Sequence, residues 1–303
     1  MSHYAFCTII TPDYWHYALT LFESIRRFDE SVELHVFISD GNERPRDLPN
    51  NIYCYFKSDL CVEGMGRKLH DRYAETYVDG FRWSMKSVLM KHLLEKDYQQ
   101  VIWADCDLFF VDDFSFLVDD LRANRFMLTP HRRNRFPQQA IGNFQMGLRE
   151  GLFNAGFVGA NQQAIEILDW WAALCLFRCE KAQDEGYYVD QRYLDLAPTL
   201  FSGVKIVQHK GCNIANWNRI ECPRGWNEEG KIVIGEFWNP VFLHFTNSTI
   251  RGIKYGSDGI LEPYLKDWVS TIQQYKPDYQ LPAPKKKTWQ QQAKQQLKRI
   301  LKA

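Results

Sequence analysis

Two carboxylates stand one residue apart in Asp105-Cys106-Asp107, between the apolar runs Val101-Ile102-Trp103-Ala104 and Leu108-Phe109-Phe110-Val111. The first run follows a polar turn at 97–100 and reads as a short buried strand. Charged side chains ending such a strand are costly against a core without a partner. The partner that suits paired carboxylate oxygens is a hard divalent cation, Mg²⁺ or Mn²⁺, whose shell a phosphorylated substrate usually completes. Asp-x-Asp alone recurs in many loops; its place at the end of a buried strand is what points to metal–phosphate chemistry. His244 sits inside the apolar run Val241-Phe242-Leu243-His244-Phe245. A lone histidine there is ordinarily a hydrogen-bonded core residue, unless folding brings it to the carboxylate pair. Asn154-Ala155-Gly156-Phe157-Val158-Gly159 sets one polar residue and two glycines in an apolar strand, a mark of close approach by a ligand or backbone. Asp190 lies where Val189-Asp190-Gln191 opens a helix, so capping explains it as well as catalysis does. His131-Arg132-Arg133-Asn134-Arg135 reads as a solvated loop, with phosphate or acceptor contact as the functional alternative.

The elements that must position these residues alternate strand with helix. Residues 4–10 form a first strand, Thr11-Pro12-Asp13-Tyr14 its turn, and Ala18, Leu19, Phe22 and Ile25 mark a helix. Strands are expected at 32–38, where Ser39-Asp40-Gly41-Asn42 is the following turn, and at 51–56. Residues 60–77 look irregular and charged, 83–94 helical. Further strands are expected at 126–129, 152–159 and 204–207, a mobile loop at 138–150, and an apolar helix at 164–176. Such alternation predicts a mainly parallel sheet covered on both faces, with ligands beyond the carboxyl ends of its strands. Thr8 to Tyr14, Asp40, Asp105 and Asp107 would gather on that edge.

The 303 residues suffice for one large domain or two modest ones, and 45% hydrophobic content supports a full core. A formal net charge of zero argues against nucleic acid as a partner. Eight cysteines without a Cys-x-x-Cys pair suggest free thiols in a reducing compartment. Neither a signal peptide nor a transmembrane helix is expected. Residues 277–284 read as a linker, and 285–303 hold seven Lys or Arg and no acid, leaving the rest of the chain net negative by seven. Trp289, Ala293, Leu297, Ile300 and Leu301 follow helical spacing, so this tail is expected to be a basic amphipathic helix that binds an anionic membrane surface.

Together, Thr8-Ile9-Ile10-Thr11-x-x-Tyr14, Asp105-Cys106-Asp107, Asn154-Ala155-Gly156-Phe157, Asp190-Gln191 and His244-Phe245 resemble glycosyltransferase family 8, of GT-A fold, which includes bacterial lipooligosaccharide galactosyltransferases and glycogenin. The resemblance spans roughly residues 4–250. It implies a Rossmann-like α/β domain over 1–276, with a nucleotide-binding half at about 1–112 and an acceptor half at 113–276. It also implies that Asp105, Asp107 and His244 hold Mn²⁺ (or Mg²⁺). The donor, a UDP-sugar, would then meet Thr8, Ile9, Tyr14, Asp40, Lys86, Asp105, Cys106, Asn247 and Lys254. Asn154, Asp190 and Gln191 would surround its anomeric carbon. The implied activity is a retaining hexosyl transfer to a glycan or lipid-linked acceptor in cell-surface polysaccharide or lipooligosaccharide synthesis. Apart from the resemblance, the free thiols and the basic tail lead us to expect a cytoplasmic protein at the inner face of the plasma membrane. A nucleotidyltransferase or a non-enzymatic carbohydrate-binding protein are the alternatives. The family's Gly three residues after the histidine and Lys six after are here Asn247 and Ile250, which leaves Arg251 or Lys254 to supply the positive charge.

Overall fold

The computed structural model describes residues 4–283, so the expected basic helix at 285–303 lies outside the described residues. Strand β1 (Tyr4–Ile10) leads to helix α1 (Trp15–Arg26), strands β2 (Leu34–Ile38) and β3 (Ile52–Tyr55), and helices α2 (Lys57–Leu60), α3 (Gly64–Tyr73) and α4 (Val78–Leu94). Strands β4 (Gln100–Ala104) and β5 (Leu108–Phe110) follow, then α5 (Ser115–Ala123), β6 (Phe126–Pro130), α6 (Pro137–Glu150), β7 (Phe153–Asn161) and α7 (Ile165–Phe177). Two short strands, β8 (Lys181–Ala182) and β9 (Tyr187–Tyr188), precede α8 (Ala197–Leu200) and β10 (Val204–Ile206). The last described elements are β11 (Arg224–Trp226), β12 (Ile232–Ile234), β13 (Phe242–His244), α9 (Asn247–Tyr255) and α10 (Glu262–Tyr275).

Seven strands make one sheet in the order β10-β6-β7-β4-β1-β2-β3. Its pairings are parallel except at β7, which runs antiparallel between β4 and β6. Every residue of β2 and β4 is buried, as a sheet covered on both faces demands. On one face Trp103 meets Phe81, Leu89 and Trp171 from α4 and α7; on the other Phe6, Phe110 and Phe157 meet Phe22 of α1 and Leu117 of α5. A third core, with Phe245, Ile250, Leu265 and Trp268, seats α9 and α10. Burying each such aromatic contributes roughly 2–3 kcal/mol.

Three expectations are corrected. The stretch 60–77 is largely helical, because Met65, Leu69 and Tyr73 recur every four residues among the charges, and Leu69 and Tyr73 are buried against α4. The loop expected at 138–150 is helix α6: Pro137 occupies its first turn, where a missing N–H costs nothing, and only Glu150 is buried. The helix expected to open at Val189 is instead a 3₁₀ turn at Arg192–Leu196 running into the four-residue α8.

Candidate active site

Two ladders build the site. Pairing of β4 with β7 sets Ala104 opposite Phe157, and the next amide, that of Asp105, donates to the Gly156 carbonyl at 2.8 Å. The three-residue ladder of β5 with β13 sets Leu108 opposite His244, and the Phe245 amide donates to the Asp107 carbonyl at 2.8 Å. This register carries His244 out of an apolar run and onto the carboxylates: its Nε2 lies 3.0 Å from Asp107 Oδ1. One ligand atom from each of Asp105, Asp107 and His244 falls within 4.8 Å of the others. The other ring nitrogen, Nδ1, donates to Asn213 Oδ1 at 3.1 Å. That acceptor assigns the proton to Nδ1 and turns Nε2 to the acids, the usual arrangement of a ligating imidazole. Burial opposes both charges here. Even so, the facing imidazole holds Asp107 below the usual carboxylate range, and Asp107 holds His244 above the usual imidazole range.

The backbone beside them is cut to fit. A Cβ on Gly156 would stand 2.6 Å from Asn154 Oδ1, 2.6 Å from His244 Cε1 and 2.9 Å from Asp105 Oδ2, so only glycine lets β7 pass between these groups. Two carboxylates and an imidazole converging around such a cradle fit a hard divalent ion. Behind them Lys86 of α4, 4% exposed, places Nζ 3.3 Å from both Asp105 and Asp190 and donates to the Ala155 carbonyl at 3.0 Å. Burial disfavours its charge, but the two carboxylates outweigh burial and hold the ammonium well above its usual range. Burial also pushes the Asp190 carboxyl up to about 6, against the pull of Lys86. Asp190 makes no capping bond; its side chain serves the lysine. The Trp103 indole donates to Asp105 Oδ1 at 2.8 Å.

Asn154 and Gln191 form a second layer. Gln191 Oε1 accepts from the Ala155 amide at 3.1 Å and from Asn154 Nδ2 at 3.3 Å, while its Nε2 donates to the Glu150 carbonyl at 2.9 Å. Asn154 Nδ2 also lies 3.2 Å from His131 Nε2, and Asn154 Oδ1 accepts from the Gly156 amide at 3.0 Å. His131 is thus buried and bonded, a correction to the solvated loop expected there. Three residues with left-handed backbone adjoin these groups: Arg132 (φ 50°), Val189 (φ 46°) and Asn213 (φ 59°). For a β-branched valine this conformation is an outlier that costs of order 1–3 kcal/mol, strain of the kind that gathers at functional sites.

A cleft of about 350 Å³ opens on the carboxylates, and Ile9, Tyr14, Lys86, Asp105, Cys106, Asp107 and Asn247 all line it. Thr8, two residues short of the end of β1, is fully buried and outside that lining. Asp40 also stays outside, ion-paired to Arg82, which reaches the cleft in its stead. Lys254 lies in the last turn of α9, about 10 Å along the axis from Asn247, and does not line the cleft; nor does Arg251. Sequence reasoning missed Arg82, Trp83 and Tyr17 in the lining, and marked Phe245 only as the neighbour of His244. Arg82 precedes Lys86 by one helical turn, a spacing that places both on one face of α4.

No protein-family model matches the chain. It is 31% identical over 221 residues to the uncharacterized protein YfnD of Bacillus subtilis (strain 168), covering 65% of this chain and 68% of that one. Its structure superposes on the galactosyltransferase LgtC in complex with donor and acceptor sugar analogs at a TM-score of 0.57, with 15% identity, over 93% of this chain and 98% of that one. For apo mouse xyloside xylosyltransferase 1 the TM-score is 0.51 at 15% identity, over 81% of this chain and 98% of the other. The expected fold is therefore the observed one: the mainly parallel sheet and its helices form the GT-A glycosyltransferase fold.

Proposed function

The chain belongs to the family of Bacillus subtilis YfnD, and from that premise and the geometry above we propose that it is a metal-dependent, retaining hexosyltransferase. It would move a sugar from a UDP-sugar to a glycan or lipid-linked acceptor in cell-surface polysaccharide synthesis. The observation that supports this most is the meeting of Asp105, Asp107 and His244 beside Lys86 at the edge of a sheet shared with sugar transferases.

Breaking a sugar–phosphate bond builds negative charge on the departing diphosphate. Asp105, Asp107 and His244 would hold a divalent ion, which would supply Lewis-acid stabilisation there, worth several kcal/mol. Lys86 adds a fixed positive charge that needs no reorganisation, because its own carboxylates already orient it. Arg82 and Tyr14 flank the part of the cleft nearest β1, where the uridine would bind. Gln191 and His131 hold the Asn154 amide in place toward the sugar. Asp190, 1% exposed and turned to Lys86, is poorly placed as a nucleophile. The acceptor hydroxyl would therefore bond to the anomeric carbon on the face the diphosphate leaves, passing its proton to a diphosphate oxygen.

The test is a thermal-shift titration. Mn²⁺ and UDP together should raise the melting temperature by about 5 °C at a hundredfold excess over Kd, and by more than either alone. No shift with any uridine diphosphate would sink the reading. We further place the protein in the cytoplasm, at the inner face of the plasma membrane, held by its basic residues 285–303. Deleting 285–303 should release it from anionic vesicles in a flotation assay while sparing donor hydrolysis; vesicle binding that survives the deletion overturns the anchor.

A further inference from the structure

We propose that the cavity between α6 and the 131–135 loop binds a phosphorylated long-chain alcohol, the lipid end of the acceptor, a proposal that rests on the transferase reading above. The cavity measures about 410 Å³, and Phe144, Leu148, Leu152 and Phe153 form its apolar wall. Leu148 and Leu152 are 61% and 57% exposed, and α6 holds Ile141, Phe144 and Leu148 without burying any of them. Large apolar side chains left open around a concavity suit an aliphatic ligand.

The polar lining asks for oxygen. Asn134 is 2% exposed, yet its Nδ2 has no hydrogen-bond partner, and the buried Arg133 Nε has none either. Both groups only donate, so their missing partner is an acceptor. Arg133 also pairs with Glu150, Arg135 Nε lies 3.1 Å from Glu221, and Arg132 donates to the Val207 and Gln208 carbonyls. The arginines outnumber the two carboxylates, which favours an anionic head over a neutral one. His131 lines this cavity, takes a carbonyl at Gly151 with Nδ1 at 3.0 Å, and accepts from Asn154 with Nε2. One side chain thus separates the cavity from the residue proposed to face the donor sugar.

Isothermal titration of the full chain with dodecyl phosphate, below its micelle concentration, tests this against inorganic phosphate. Dodecyl phosphate should bind at least tenfold more tightly than inorganic phosphate, and Leu148→Glu and Leu152→Glu should each remove that advantage. Both side chains are largely exposed, so the fold and donor hydrolysis should persist in both variants. Equal binding of the two phosphates, no binding, or unchanged binding by both variants overturns the proposal. Donor hydrolysis on the same samples separates the two readings. Hydrolysis without amphiphile binding removes this inference alone, whereas amphiphile binding that Leu148→Glu abolishes stands even if no UDP-sugar is ever cleaved.

Discussion

Gly156 does more at the site than its missing side chain suggests. Three functional atoms crowd the place a Cβ would take, two of them at 2.6 Å. Gly156→Ala should therefore push apart Asn154, His244 and Asp105 together. We expect at least a hundredfold loss of transfer, about 2.7 kcal/mol of transition-state stabilisation, and a stability loss of about 1–3 kcal/mol from overpacking. The joint Mn²⁺–UDP thermal shift should vanish with the activity. If Mn²⁺ affinity and turnover survive, the cradle is packing and nothing more. His244 makes the same point from the other side. Its apolar neighbours describe a core residue, and only the partner opposite it in β5 brings it to Asp107.

At the scale of elements, the short antiparallel pieces brace the segment beside Asn213, the partner of His244 Nδ1. Arg224 of β11 lies with Nε 3.3 Å from Asp258 Oδ1, and the two side chains are 1% and 4% exposed. Arg224 also donates to the Ala215 carbonyl at 2.7 Å and to Asn218 Oδ1 at 2.9 Å, tying β11 to the segment that follows Asn213. Burial works against both charges, raising the Asp258 carboxyl and lowering the guanidinium. Asp258→Ala would leave an uncompensated buried cation, so we expect a loss of about 3–5 kcal/mol, read as a lower urea midpoint. A midpoint within 1 kcal/mol of the parent, by the usual slope, would show that water already reaches this pair.

The whole molecule carries a pH dependence set by two buried histidines, His35 on β2 and His131 behind Asn154. His35, bonded to the Tyr55 and Tyr98 hydroxyls, and His131 are both buried, and both are pulled down to about 3. Burial is the main cause; Lys96 adds to it for His35 and Arg133 for His131. Unfolded imidazoles titrate near 6.5. As pH falls through that value the unfolded chain takes up protons that the folded chain refuses, and stability drops until about pH 3. Between about pH 6.5 and 5 each histidine should cost about 1.6 kcal/mol. Urea unfolding at several pH values checks this, and stability that stays level across that window would mean the imidazoles titrate in the folded state.

What could be read from the residues alone was whatever rests on local periodicity and on chemistry between near neighbours. Alternating apolar runs dictated the covered parallel sheet, and Asp105-Cys106-Asp107 declared itself because its two acids share one strand end. Helix α6 escaped because its apolar side chains are not buried, so its pattern resembles a loop. Asp190 read equally as a cap, since its partner Lys86 belongs to a distant helix. The family resemblance implied that His244 meets the acids, but only the tertiary structure could show it, still buried, turned to Asp107, and Arg82 rather than Asp40 lining the cleft. Both outcomes depend on strand register and helix packing between segments remote in the chain, where a shift of one residue would turn each side chain to the opposite face.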